Sequence, residues 1–191
     1  MSMKESSELQ AINTMLSCIG EAPINSMDGA RSSDTAIAAN ILEEVSREVQ
    51  SRGWWFNTIF DQTLTMDVNG KVSIPQNWIT VDHGEYDYIK RGLYLFNRTA
   101  NTDVFASSVT GLEVMVWLEF ADLPEPARRY IVMRASRSFF ERLVGEQGRA
   151  AMLQSEESQA YLSLLQFESE QADCNIFDND YVNYQRRRSS R

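Results

Sequence analysis

The chain has almost no material for metal or nucleophile chemistry. It holds one histidine, His83, and two cysteines, Cys18 and Cys174. Neither cysteine lies in a C-x-x-C or Cys/His ligand pattern, so no zinc site is expected. Two structural thiols suit a reducing compartment. The phosphate-cradling P-loop pattern and G-x-G-x-x-G are both missing. So is the G-x-S-x-G elbow, and no serine has the context of a nucleophile that His83 would activate. No catalytic residue, metal ligand or cofactor site is therefore assigned. No apolar run approaches the roughly 20 residues of a membrane span. The first residues, Met1 to Glu8, lack the apolar middle of a signal peptide. Folding in a cytoplasm without membrane insertion is the expectation.

Positive charge is also scarce. The formal net charge is −9, from 18 basic and 27 acidic residues. Four of the basic residues, Arg186, Arg187, Arg188 and Arg191, fall in the last six positions. Setting them aside leaves 14 basic against 27 acidic residues, a body of −13. Such a body disfavours tight binding along a nucleic-acid backbone, yet suits a surface past which DNA slides without sticking. A DNA-binding protein acting through the basic tail is the weaker reading.

Against these absences stand amphipathic periods. Leu9, Ile12, Leu16 and Ile19 recur at helical spacing, and Gly20 can end that helix. A second helix starts near Ser33 or Asp34, either of which can cap it. Its apolar row is Ile37, Ile41, Val45 and Val49, with Glu43, Glu44, Arg47 and Glu48 facing away. It ends at Gly53, and Trp54-Trp55-Phe56 follow at once. Three adjacent aromatics carry enough apolar area to anchor a core or an interface.

The period then changes to two. Leu64, Met66 and Val68 alternate with polar residues, Asn69-Gly70 signals a hairpin, and Val72 and Ile74 resume the alternation. Tyr86 to Lys90 and Leu93 to Phe96, joined by Arg91-Gly92, read as another hairpin, and Leu112, Val114, Val116 and Leu118 alternate again. Leu123-Pro124-Glu125-Pro126 marks the return to helix. In the third helix Ile131, Ala135, Phe139 and Leu143 make the buried row, with Arg129, Arg134 and Arg137 on the opposite side. Met152, Tyr161, Leu164, Leu165 and Phe167 supply apolar positions of the fourth.

The expected fold is α+β but mainly α: a four-helix bundle with a small antiparallel sheet inserted between helices 2 and 3. The helices are expected at 7–19, 34–52, 126–144 and 147–173, with the β insertion at about 57–120. Residues 1–173 form one domain, and 174–191 form an extended basic arm. Gly53, Trp54, Trp55 and Phe56 are the expected joint between bundle and sheet. Arg129, Arg134, Arg137, Arg186, Arg187 and Arg188 are the candidate contacts to other subunits. Pairing of the helix-3 arginines with acids of helix 4 is the plain alternative.

Carboxylate pairs such as Glu85/Asp87 and Glu113/Glu119, near Trp78, Tyr86, Tyr88 and Trp117, leave a second function class open. A hydrolase of cell-envelope polysaccharide needs two facing carboxylates and aromatics for stacking on sugars. With 27 acids that rule is easily met.

Three segments together resemble a known family. They are Ala11-Ile12-Asn13-Thr14-Met15-Leu16-Ser17-Cys18-Ile19-Gly20-Glu21-Ala22-Pro23-Ile24, then Ser51-Arg52-Gly53-Trp54-Trp55-Phe56-Asn57, then Tyr130-Ile131-Val132-Met133-Arg134-Ala135-Ser136-Arg137-Ser138-Phe139-Phe140. They resemble the motifs of the tail tubular protein A family of short-tailed, T7-like bacteriophages, the head-to-tail adaptors or gatekeepers. The resemblance implies a structural virion protein assembled in the host cytoplasm. It implies a dodecameric ring between the portal protein and the tail nozzle, tail tubular protein B. Genomic DNA would be retained by the ring and would pass through it at ejection, without sequence-specific binding.

Overall fold

The computed structural model describes residues 7–27 and 32–173. Arg186, Arg187, Arg188 and the rest of the arm, with Cys174, lie outside the described residues. Two compact units emerge within the single domain expected over 1–173: Met1–Val49 with Phe120–Arg191, and Gln50–Glu119.

The first unit is helical. Helix α1 (Glu8–Cys18) opens on a capping box, in which Ser7 and Gln10 each bond the other's backbone amide. It closes with a Schellman pattern: Glu21 N–H donates to Leu16 C=O at 3.1 Å and Gly20 N–H to Ser17 C=O at 3.2 Å. Gly20 takes the required positive φ of 83°. Asn13 then grips the chain that follows. Its side-chain amide donates to Ile24 C=O at 3.0 Å and accepts from Ile24 N–H at 2.8 Å.

Helix α2 (Ser33–Gln50) is capped by Ser32, one residue before Ser33 and two before Asp34, the expected candidates. Ser32 Oγ accepts from Thr35 N–H at 3.2 Å. Ile41, Val45 and Val49 are buried, as the four-residue row requires. Helix α3 (Glu125–Leu143) carries Pro126 in its first turn. It is buried over a wide arc, because it packs closely against both α1 and α4 (Gln147–Asp173). Ile131, Ala135 and Phe139 are fully buried, but Leu143 departs from the expected row and is 40% exposed in the last turn. In α4 the buried positions are Leu153, Ala160 and Leu164, while Met152 is 63% exposed. The α3–α4 connection is short: Gly145 turns at φ 69°, and Glu146 caps α4 by accepting from Gly148 and Arg149 N–H at 2.9 and 3.0 Å.

The second unit is built of strands β1 (Thr58–Leu64), β2 (Trp78–His83), β3 (Tyr88–Arg91), β4 (Tyr94–Asn97) and β5 (Val109–Val116). They form two antiparallel sheets, β1-β5-β2 and the hairpin β3-β4. The Asn69-Gly70 turn forms, but its flanks pair only at a single bridge, Met66 with Val72. The segment after the turn is recruited elsewhere: Phe105 N–H donates to Gly70 C=O, Leu95 N–H to Val72 C=O and Ile74 N–H to Leu93 C=O. Asp67 holds the turn through Asn69 and Lys71 N–H at 2.8 and 2.9 Å.

These findings correct the expected mainly helical bundle with one small sheet. The strands make two sheets, and their apolar faces converge on a core of their own, with Val72, Ile74, Trp78, Leu95, Leu112 and Val114 among its members. The architecture is α+β. Alternation along one strand reports which face is buried but not which strand is its neighbour, so the split into two sheets was not visible in it.

Candidate functional site

The aromatic motif is organised by a polar residue beside it. Asn57 is fully buried. Its Oδ1 accepts from Trp54 N–H at 2.8 Å, and its Nδ2 donates to Gln50 C=O at 2.9 Å and to Val116 C=O at 3.2 Å. Gln50, also fully buried, repeats the grip that Asn13 makes on Ile24. Its Nε2 donates to Leu118 C=O at 3.0 Å, and its Oε1 accepts from Leu118 N–H at 2.9 Å. These two amide side chains tie the segment where the chain enters the β unit to the segment where it leaves. Buried backbone groups need such partners, and a carboxamide supplies a donor and an acceptor together.

Gly53 has two reasons to be glycine. Its φ is 74°, and a Cβ there would stand 2.6 Å from Met115 Sδ. Trp54 is buried, Phe56 is half-buried with its ring stacked parallel to that of Trp54 at 6.3 Å, and Trp55 is 43% exposed. Of the three aromatics, then, Trp55 faces outward, while Gln50 and Asn57 are the members that sequence reasoning missed. The available signal was a carboxamide at each end of an otherwise apolar and aromatic stretch.

The α3 arginines divide. Arg137 pairs with Glu157 of α4 and with Glu141 at 3.0 Å. Glu157 foremost, then Glu141, outweigh desolvation and raise its already high pKa. Arg134 pairs with Glu48 of α2, bonds Tyr130 Oη at 3.0 Å and lies 3.9 Å from Glu157. Burial opposes its charge, but Tyr130 and Glu48 prevail and raise its pKa. Arg142, not singled out in the sequence, reaches both oxygens of Glu44 at 3.1 and 3.2 Å and lowers that carboxyl's pKa. A belt of charge thus joins α2, α3 and α4. Arg129 is exposed, and no ion pair engages it among the described residues.

The residues considered for sugar chemistry are scattered in environment. Trp78 belongs to the β core. Asp87 lies 3.6 Å from Arg98. His83 Nδ1 accepts from Glu85 and Tyr86 N–H at 3.0 and 3.2 Å, which shapes a turn. Among the described residues no three His, Cys, Asp or Glu side chains gather as a metal site, and no helix is long and apolar enough to cross a membrane.

No curated protein matches the chain significantly. The model of the family described as "Tail tubular protein" matches residues 9–174, which spans the whole β unit and all but the first residue of the four helices. The chain belongs to that family and is a structural protein of a phage tail.

Proposed function

We propose that this tail tubular protein is a head-to-tail adaptor. Twelve copies would close a ring between the portal and the tail nozzle, retain the packaged DNA and form part of its ejection channel. Assembly would begin in the host cytoplasm and end in the virion. The observation that carries this reading is the family match across residues 9–174. The acidic balance, −13 without the terminal arginines, supports it further, because DNA moving past such a surface meets little attraction.

Contacts to neighbouring subunits or the portal are assigned to Arg129 and to Arg186, Arg187 and Arg188, which would meet acidic partner surfaces bidentately. Arg134 and Arg137, already paired with Glu48 and Glu157, are proposed as further contacts from α3. Gly53, Trp54, Trp55 and Phe56 serve as the joint at which the helical chain hands over to the β unit. Purified protein added to portal-bearing, tail-less capsids tests the reading. A ring docked on the portal, lost or weakened with Arg129→Glu, is expected. Capsids that remain bare at protein excess would refute it.

A further inference from the structure

We propose that an exposed tip of the β unit docks on the outer face of α4 in a neighbouring copy. The proposal rests on the ring reading above and names the contact that would repeat around it. The tip lies on one sheet face. Tyr94 pairs with Arg91 across the β3–β4 hairpin and bridges to Ser73, while Lys71 bridges to Val104. Alternation sends Val72, Ile74 and Leu95 into the β core, so Lys71, Tyr94 and Val104 face away from it. Tyr94 and Val104 are exposed, and Val68 is fully exposed on the adjoining turn. Asp67 holds that turn from within, and Phe105 N–H anchors it on Gly70 C=O at 2.8 Å. The apolar tip is thus presented in a fixed shape, which lowers the ordering cost of binding.

The tip is also basic. Residues 88–98 include Lys90, Arg91 and Arg98 and no acid, in a chain where acids outnumber bases by 27 to 18. Arg91 is exposed, with its guanidinium carbon 3.6 Å from the centre of the Phe96 ring. That stacking fixes the plane of the group and leaves its N–H edge to meet a carboxylate. Lys71 Nζ holds Asp103 at 2.9 Å and lies 5.4 Å from the centre of the Tyr94 ring. A tyrosine and an arginine beside exposed valines suit a protein partner. Val68 and Val104 would meet nothing apolar along a phosphate backbone.

Helix α4 offers the complement. Ala151, Ser155, Ser158, Leu162, Leu165 and Ser169 follow at steps of three and four residues and are all exposed. They lie opposite the buried Leu153, Ala160 and Leu164. No charged residue interrupts that row, and Leu162 near its centre is 64% exposed. The rest of the helix is acidic: Glu156, Glu157, Glu168, Glu170 and Asp173 stand against Arg149 alone. Of these, Glu156 and Glu170 are exposed. Copies of an acidic chain repel over most of their surface. They can meet where one brings an uncharged apolar row edged with acid and the other an apolar tip edged with base. Because the two surfaces differ, the contact is heterologous, the kind that generates rings.

Photocrosslinking in the assembled particle tests this. The full chain, with benzoylphenylalanine in place of Val104 or, separately, of Val68, is added to portal-bearing, tail-less capsids and irradiated. Isotope labelling of half the copies separates crosslinks between copies from those within one. We expect crosslinks from one copy to residues 151–169 of another. Leu162→Asp and Arg91→Glu, both at exposed positions, should each lower the yield about tenfold, the scale of one interface anchor, with circular dichroism unchanged. Docked rings whose crosslinks fall elsewhere, or whose yield survives both substitutions, overturn this contact and leave the adaptor reading standing. Capsids that stay bare even with the unsubstituted chain overturn both.

Discussion

Truncating Asn57 would strip hydrogen bonds from three backbone groups at once: Trp54 N–H, Gln50 C=O and Val116 C=O. Each buried group left unsatisfied costs about 1–3 kcal/mol. Asn57→Ala should therefore destabilise the protein by at least about 2 kcal/mol, read as a lower urea midpoint. Gln50→Ala should cost a comparable amount through Leu118. Gly53→Ala adds strain at φ 74° and a collision with Met115 Sδ, and should lose more than about 1 kcal/mol. A midpoint unchanged in all three would show that the amide ties do not hold the entry and exit segments. Trp55→Ala, at a 43% exposed position, should lower the midpoint less than Asn57→Ala does.

At the scale of elements, the caps and turns carry separable predictions. Ser32→Ala removes the α2 cap and should cost about 1 kcal/mol, whereas Ser33→Ala should cost far less. Asp67 holds its turn through Lys71 N–H first and Asn69 N–H next, and these bonds lower its pKa. A depressed folded pKa means that the turn's contribution is present above the ordinary carboxylate range, about 4. It is lost as pH falls through the lower folded value. A side-chain carbon titration by NMR should place Asp67 below its unfolded value, and a normal or raised value would contradict the turn geometry. Arg137→Ala leaves Glu157, whose side chain is only 13% exposed, without its closest cation. It should destabilise the α3–α4 pair more than Arg142→Ala does, since the Arg142–Glu44 pair is more than half exposed at both ends.

For the whole molecule, the helical rows were legible because a 3.6-residue period repeats over three turns or more. Ile41, Val45 and Val49 show it, as do Ile131, Ala135 and Phe139. The β3–β4 hairpin was legible from its turn, but the longer pairings were not: beyond the single Met66–Val72 bridge, Val72 and Ile74 bond the Leu93–Leu95 segment. The amide ties joining residues 68 positions apart leave no periodic trace at all. The charge asymmetry was legible in full, yet the uses of Arg134 and Arg137 were not, because Glu48 and Glu157 are remote in sequence. The belt joins α2, α3 and α4, and the ties hold residues 50 and 57 to the 116–118 segment; whether a subunit so built stands in a ring is the central question. Cryo-electron microscopy of the assembled virion tests this most directly. The proposed adaptor role requires this chain's helices and two β-sheets in a closed twelve-fold ring directly beneath the portal, with an acidic inner wall. A portal joined straight to the nozzle, with this chain located elsewhere in the particle, would contradict it.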